Sequence, residues 1–164
     1  MQNVYKRLLF DPFMAGLKNL KPLKSKEVKE IRNIVKAQWD AELPEGIFFL
    51  NTKENKLFFT NHEITKINFN SFNINTIGLY LGELQESQFR PSIEGAQLIG
   101  KDAKKNVVDL NDDETIQYLR GVDLEKDIDN TGYIILRHGK DILGCGRKKE
   151  GKILNFYPKV RRLP

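Results

Sequence analysis

The residues best equipped for chemistry are the cations that crowd the end of the chain. From Arg137 to Pro164, nine bases (Arg137, Lys140, Arg147, Lys148, Lys149, Lys152, Lys159, Arg161 and Arg162) stand against Asp141 and Glu150, a net charge of +7. Binding a phosphate backbone needs several cations on one face, because each neutralised phosphate releases condensed counterions. Lys148, Lys149, Lys152, Lys159, Arg161 and Arg162 meet that need if the last hairpin folds back beside the tail. Phe156 and Tyr157 lie inside the same run. Tyr157 offers a stacking face worth roughly 1–3 kcal/mol to an unpaired base, and packing of both rings into the core is the competing use. The preceding segment has the opposite charge. Asn106 to Asp129 holds Asp109, Asp112, Asp113, Glu114, Asp123, Glu125, Asp127 and Asp129 against Arg120 and Lys126, a net of −6. Arg161 and Arg162 can pair with its Asp109–Glu114 part instead, which would remove them from any anion-binding surface. Lys101, Lys104 and Lys105 form a second basic group just after Gly100, where the dipole at a helix C-terminus explains lysines equally well.

Other chemistries find little support. Cys145 is the only cysteine, and the titratable groups nearest to it in sequence are Asp141 and Arg147, so no base is at hand to activate a thiol. Gly144-Cys-Gly146 reads more simply as a strand where backbones approach closely. His62 and His138 are the only histidines and stand far apart, which makes no zinc site with one cysteine. No glycine fingerprint for a dinucleotide or methyl donor follows a strand, and no P-loop is present. Asp112, Asp113 and Glu114 read as a helix cap rather than a catalytic pair. The expectation is a non-enzymatic protein without metal or cofactor.

The elements that must position these residues follow from composition and pattern. With 164 residues, 40% hydrophobic and 30% charged, the chain is globular rather than disordered. No apolar run reaches the roughly 18–20 residues of a membrane span. The start resembles no signal peptide, and the cysteine usage fits a cytoplasmic location. The net charge of +5 agrees with a polyanionic partner. Leu8, Leu9, Phe10, Phe13, Met14, Leu17 and Leu20 recur at helix-like spacing. Ser25 to Ala41 is the clearest helix, with Ser25 as N-cap, Pro44 as stop and Val28, Ile31, Ile34, Val35 and Trp39 as its apolar stripe. Lys29, Arg32 and Lys36 line its wet face. Gly46–Leu50 and Lys56–Thr60 read as a hairpin, and His62–Ile67 is open between helix and strand. Asn68 to Asn75, polar with Phe69 and Phe72 as anchors, is the expected boundary.

Beyond Thr76 the strands are short: Ile77–Leu81, Asn106–Leu110, Gly132–Arg137, Asp141–Cys145 and Lys152–Tyr157. Two helices interrupt them. One is capped by Ser92 and stopped by Gly100; the other is capped by Asn111 with Glu114 and stopped by Gly121.

Gly78-Leu-Tyr-Leu-Gly-Glu83, Phe89-Arg-Pro-Ser-Ile-Glu94, Tyr118-Leu-Arg-Gly121, Gly132-Tyr-Ile-Ile135, Leu143-Gly-Cys-Gly-Arg147 and Asn155-Phe-Tyr-Pro-Lys-Val-Arg-Arg162 follow one another in an order that resembles a PUA-like RNA-binding domain. The resemblance is to the domain at the C-terminus of Sun-type rRNA cytosine-5 methyltransferases. It extends to the ribosome-biogenesis factors that join a pre-PUA α/β domain to a PUA barrel. It implies an α+β fold, with an N-terminal α/β pre-PUA-like module (1–75) packed on a C-terminal PUA-like β pseudo-barrel (76–164). It also implies non-catalytic binding of structured RNA, above all rRNA, with tRNA as the other class, in rRNA modification or ribosome biogenesis. A protein-interaction subunit that targets a separately encoded RNA methyltransferase, docking through the apolar N-terminal hairpin and the Phe-rich boundary, is the alternative. An RNA-modifying enzyme or a pre-ribosomal protein are the protein partners implied. In such domains the first helix, its flanking loop and the last strand meet RNA. Here these are Arg90 and Ser92–Gln97, Lys101–Lys105, and Asn155–Arg162, with Arg147, Lys148, Lys149 and Lys152 on the last hairpin. The usual glycine-rich loop is reduced to Gly95 and Gly100, and no methyltransferase domain accompanies it.

Overall fold

The computed structural model describes residues 17, 19–67 and 73–164. The helix-like recurrence from Leu8 to Leu20 and the anchors Phe69 and Phe72 lie outside these residues, apart from Leu17 and Leu20. Leu20 belongs to a short strand, β1 (Leu20–Pro22), and not to a helix.

The fold mixes α and β, with three α-helices and two sheets among the described residues. The first sheet is antiparallel with strands in sequence order: β1, β2 (Ile47–Asn51), β3 (Lys56–Thr60), β4 (Leu79–Gln85) and β5 (Gln88–Pro91). Both its faces are covered, which explains why β2 and β3 read as continuous apolar runs rather than alternating ones. Phe48 and Leu57 point to one side and join the main core. Ile47, Phe49 and Phe58 point to the other and pack with Leu17, Leu20 and Ile77. The hairpin therefore spends its phenylalanines on packing and offers no apolar docking face; Phe48, Phe49 and Phe58 are all buried. The boundary expected at 75/76 falls between β3 and β4, which pair directly.

Helix α1 (Ser25–Trp39) lays the anticipated stripe on this sheet, with Val28, Ile31, Val35 and Trp39 buried and Ile34 at the margin. Ser25 is not its N-cap. It is the first helical residue, and the Glu27 carboxylate accepts the Lys24 backbone N–H at 2.9 Å instead. The helix stops at Trp39, before Pro44, because Asp40 turns left-handed with its N–H on Lys36 O. Two of the three bases on its wet face are engaged locally. Arg32 donates to the carbonyls of Leu43 and Pro44, and Lys36 pairs with Asp40 and Glu42. Gln38 reaches across to β5, accepting from Phe89 N at 2.7 Å and donating to Phe89 O at 3.2 Å. That amide satisfies the outer edge of a strand which would otherwise stand unpaired.

The second sheet holds β6 (Val107–Asp109), β7 (Tyr133–His138), β8 (Asp141–Lys149) and β9 (Lys152–Asn155), with β6 parallel to β7 and the rest antiparallel. Helix α2 (Ile93–Gly100) covers one face, where Ala96 and Ile99 meet Tyr133 and Ile135. Helix α3 (Asp112–Leu119) covers the other, where Tyr118 meets Ile134, Leu136 and Ile153. Ser92 and Asn111 cap these helices as expected, each accepting the N–H three residues on at 2.9 Å. Gly95 and Gly100 belong to α2 itself and not to a loop, and they face the sheets. The β8–β9 turn needs two left-handed residues, Glu150 (φ 49°) and Gly151 (φ 78°), the geometry that matches strand twist in a two-residue hairpin.

Candidate nucleic-acid interface

The site grows from the register of β7, β8 and β9. Tyr133 lies opposite Arg147, and Arg147 lies opposite Leu154. Side chains alternate along a strand, so Arg147, Lys149 and Lys152 share one face and Lys148 points to the other. On the first face the Arg147 guanidinium sits 5.2 Å from the centre of the Tyr133 ring. That ring stands edge-on to Phe156 at 5.7 Å, and the Arg90 guanidinium lies over Phe156 at 5.2 Å. Four side chains thus form a ladder, arginine–tyrosine–phenylalanine–arginine, from the last hairpin to the N-terminus of α2. Tyr133 is only 2% exposed and donates its hydroxyl to Gln85 at 2.6 Å, so its orientation is fixed. Each cation–π contact contributes about 0.5–1 kcal/mol where exposed, enough to hold Arg147 in place without neutralising it.

The ladder ends at a cavity of about 340 Å³ lined by Tyr80, Arg90, Ser92, Glu94, Tyr118, Cys145, Phe156, Pro158, Val160 and Arg161, among others. The tail forms one wall through the turn at Lys159–Arg161, and Arg161 fastens it by pairing with Glu94 at 2.5 Å. Burial raises the Glu94 carboxyl, but hydrogen bonds from its own backbone N–H and from Arg161 outweigh this and hold it below the usual carboxylate range. Cys145 donates its thiol to Pro91 O at 3.1 Å, and burial pushes its pKa up to about 12. The Ser92 hydroxyl donates to Tyr80 O and accepts from Gly95 N.

All the sequence-predicted cations but Arg162 divide into three groups. Arg147 and Lys149 on β8 and Lys159 on the tail are exposed and form no ion pair among the described residues. Others are taken up by acids: Arg90 by Glu83, Lys148 by Asp127, Lys152 by Glu125 and Arg161 by Glu94. Neither Arg161 nor Arg162 pairs with the Asp109–Glu114 segment. Asp109 goes to Arg137, whose guanidinium holds its carboxyl below the usual range, and Glu114 goes to Lys126. Arg162 lies over Gly121 and donates to Tyr157 O. The third group, Lys101, Lys104 and Lys105, follows the C-terminus of α2, whereas Arg161 holds Glu94 in its first turn. Lys104 and Lys105 donate their backbone N–H groups to Trp39 O, and the Lys104 ammonium reaches Asp40 only at 3.9 Å. These lysines do not join the ladder.

Two of the residues expected to meet RNA are also engaged within the fold. Asn155 donates to the carbonyls of Tyr118 and Val122 and accepts from Tyr157 N. Tyr157 packs edge-on against Tyr118 at 5.4 Å and shows no free stacking face on that side. Sequence reasoning missed Tyr133 as a rung of the ladder and Glu83 as the acid that holds Arg90; Pro158 and Val160, which line the cavity, fall within the expected Asn155–Arg162 stretch.

The pairing of Lys148 and Lys152 has one cause. Leu124 exchanges two backbone hydrogen bonds with Ile153 at 3.0 and 2.9 Å, so the segment 123–128 runs along the outer edge of β9. This lays Glu125 on Lys152 (2.6 Å) and Asp127 on Lys148 (3.2 Å), while Ile128 O also accepts from the Lys148 ammonium. Hydrogen bonding to Glu125 raises the Lys152 pKa. Pairs at the surface contribute little to stability, so removal of the Lys152–Glu125 pair is tolerable. Glu125→Gln, which frees Lys152 on the face shared with Arg147 and Lys149, is expected to leave the fold intact and to strengthen RNA binding a few-fold at low salt. A fluorescence titration at two salt concentrations checks this; unchanged affinity would mean that Lys152 does not meet the ligand.

No curated protein matches the chain. Residues 105–163 match the family model described as the methyltransferase RsmF PUA domain. The C-terminal part of the chain, α3 and the second sheet with the tail, is therefore a PUA-like domain resembling the C-terminal domain of the Sun-type rRNA methyltransferases.

Proposed function

We propose that this is a non-catalytic RNA-binding protein of rRNA modification or ribosome biogenesis. In this reading the first 75 residues act as a pre-PUA-like module and residues 76–164 as a PUA-like pseudo-barrel. The RNA is structured: rRNA in the first place, with tRNA as the other class. Its backbone runs along the ladder from Lys149 and Arg147 to Arg90 and the tail. One observation carries this: the stretch that matches the methyltransferase PUA family model, residues 105–163, contains the hairpin and tail on which Arg147, Lys149 and Lys159 form no ion pair among the described residues. Fixed cations beside aromatic rings suit a folded RNA, met mainly through its phosphates and its shape. Crosslinking in cells, followed by sequencing of the bound RNA, tests the proposal. Enrichment of discrete rRNA segments is expected; recovery of no RNA above background, or of mRNA alone, overturns it.

A further inference from the structure

We infer that the cavity at the N-terminus of α2 receives a single unpaired nucleobase, a role that rests on the RNA-binding reading and extends it from backbone to base. Each cation that lines it is already paired with an acid, one in the lining and one, Glu83, outside it. Arg161 is matched by Glu94, and Arg90 by Glu83. A phosphate entering there would meet the Glu94 carboxylate and two guanidiniums already satisfied by acids. A neutral, planar ligand meets no such conflict. The walls suit it: the Tyr80 and Phe156 rings, Pro158 and Val160 offer flat apolar surface. At about 340 Å³ the cavity lies at the small end of ligand pockets. That is room for one ring system and not for a helix.

Hydrogen-bonding capacity remains at the polar end. A guanidinium carries five N–H donors, and an ionised carboxylate has several acceptor positions. The Arg161–Glu94 contact uses one nitrogen and one oxygen. A ligand with neighbouring donors and acceptors on one edge therefore finds both complements, and every nucleobase has such an edge. The cavity shares Arg90 and Phe156 with the ladder, so a strand whose phosphates track the free cations brings a base to its mouth. Extruding a base costs a few kcal/mol if it was stacked and least if it was already unpaired, which selects single-stranded or bulged nucleotides.

The test uses the full chain and amide NMR spectra. Adenosine, cytidine, guanosine and uridine are titrated in turn, with ribose 5-phosphate and inorganic phosphate as comparison. At least one nucleoside is expected to shift the amides of Ile93, Gly95, Phe156 and Val160 saturably, while the two phosphates leave them in place. Val160→Trp should abolish the shifts; Val160 is 94% exposed at the mouth, so a bulky ring there blocks entry without disturbing the core. Equal shifts from ribose 5-phosphate, or none from any nucleoside, overturn the inference. Binding of a fluorescein-labelled RNA hairpin is measured in parallel. Hairpin binding without nucleoside shifts sinks the base site alone; nucleoside shifts without hairpin binding sink the RNA-binding proposal and leave the base site standing.

Discussion

Alanine at Arg147, Lys149 and Lys159 together is expected to weaken binding of a structured RNA by about tenfold to a few hundredfold near 0.1 M salt. These three are the cations of the hairpin and tail that are exposed and meet no acid. Paired cations contribute less, because a phosphate must first displace Glu125, Asp127 or Glu94. Alanine at Lys101, Lys104 and Lys105 removes the same charge from the other end of α2 and is the matched comparison. Its effect should be the smaller, limited to a long-range potential that decays over about 10 Å at this ionic strength. All six positions are exposed or at the margin, so loss of fold does not confuse the reading. Thermal melts of both variants should stay close to that of the parent.

Gly95→Ala is the substitution expected to damage the molecule most. A Cβ at Gly95 would fall 1.9 Å from the Leu81 carbonyl oxygen, and that oxygen already accepts the Ser92 N–H at 2.8 Å. Neither atom is a flexible side-chain end. Helix α2 must back away from β4, which opens the contact of Ala96 and Ile99 with Leu81 and Phe89 in the main core. Overpacking of this kind costs about 2–4 kcal/mol. For a chain of this size that corresponds to a fall of roughly 5–15 °C in Tm. A calorimetric Tm within a degree or two of the parent would show that the helix seats less tightly on the strand than its geometry requires. Because α2 also carries Ser92 and Glu94, the cavity should lose its shape together with the fold.

Much of the fold was legible because local rules agreed with packing. Val28, Ile31, Val35 and Trp39 fall on one helical face, and the same face is buried. Ser92 and Asn111 are caps by residue type and caps in space. The hairpin of β2 and β3 follows from two apolar runs around a polar turn. What could not be read was decided by distant partners. β5 has only four residues, and its outer edge is finished by Gln38, 51 positions away. No local pattern announces that.

The ladder was hidden for a more specific reason. Counting back from the turn at Gly139 and Lys140, where His138 meets Asp141, puts Tyr133 opposite Gly146. A bulge at Leu136 and Arg137 shifts the register by one and brings Arg147 there instead. That single extra residue sets the arginine over the tyrosine ring. The opposite orientation of Lys148 and Lys149 was hidden too, because the strand was expected to end at Cys145, whereas β8 runs on to Lys149 and alternation then sends Lys148 to the other face. The acid pairing was visible only as a charge block; the Leu124–Ile153 bridge that brings Glu125 and Asp127 to the hairpin is a tertiary contact. Tyr157 shows the same limit, since its partner Tyr118 sits on a helix 39 positions earlier in the sequence, on the far side of the sheet from α2.

The most direct test is the salt dependence of affinity for one RNA hairpin, measured for the parent and for the two triple variants. The logarithm of the association constant should fall linearly with the logarithm of salt concentration. The slope should flatten by between about two and three for Arg147, Lys149 and Lys159, and by less than one for Lys101, Lys104 and Lys105. Equal flattening by both sets, or none by the first, would contradict a phosphate track along the arginine–aromatic ladder.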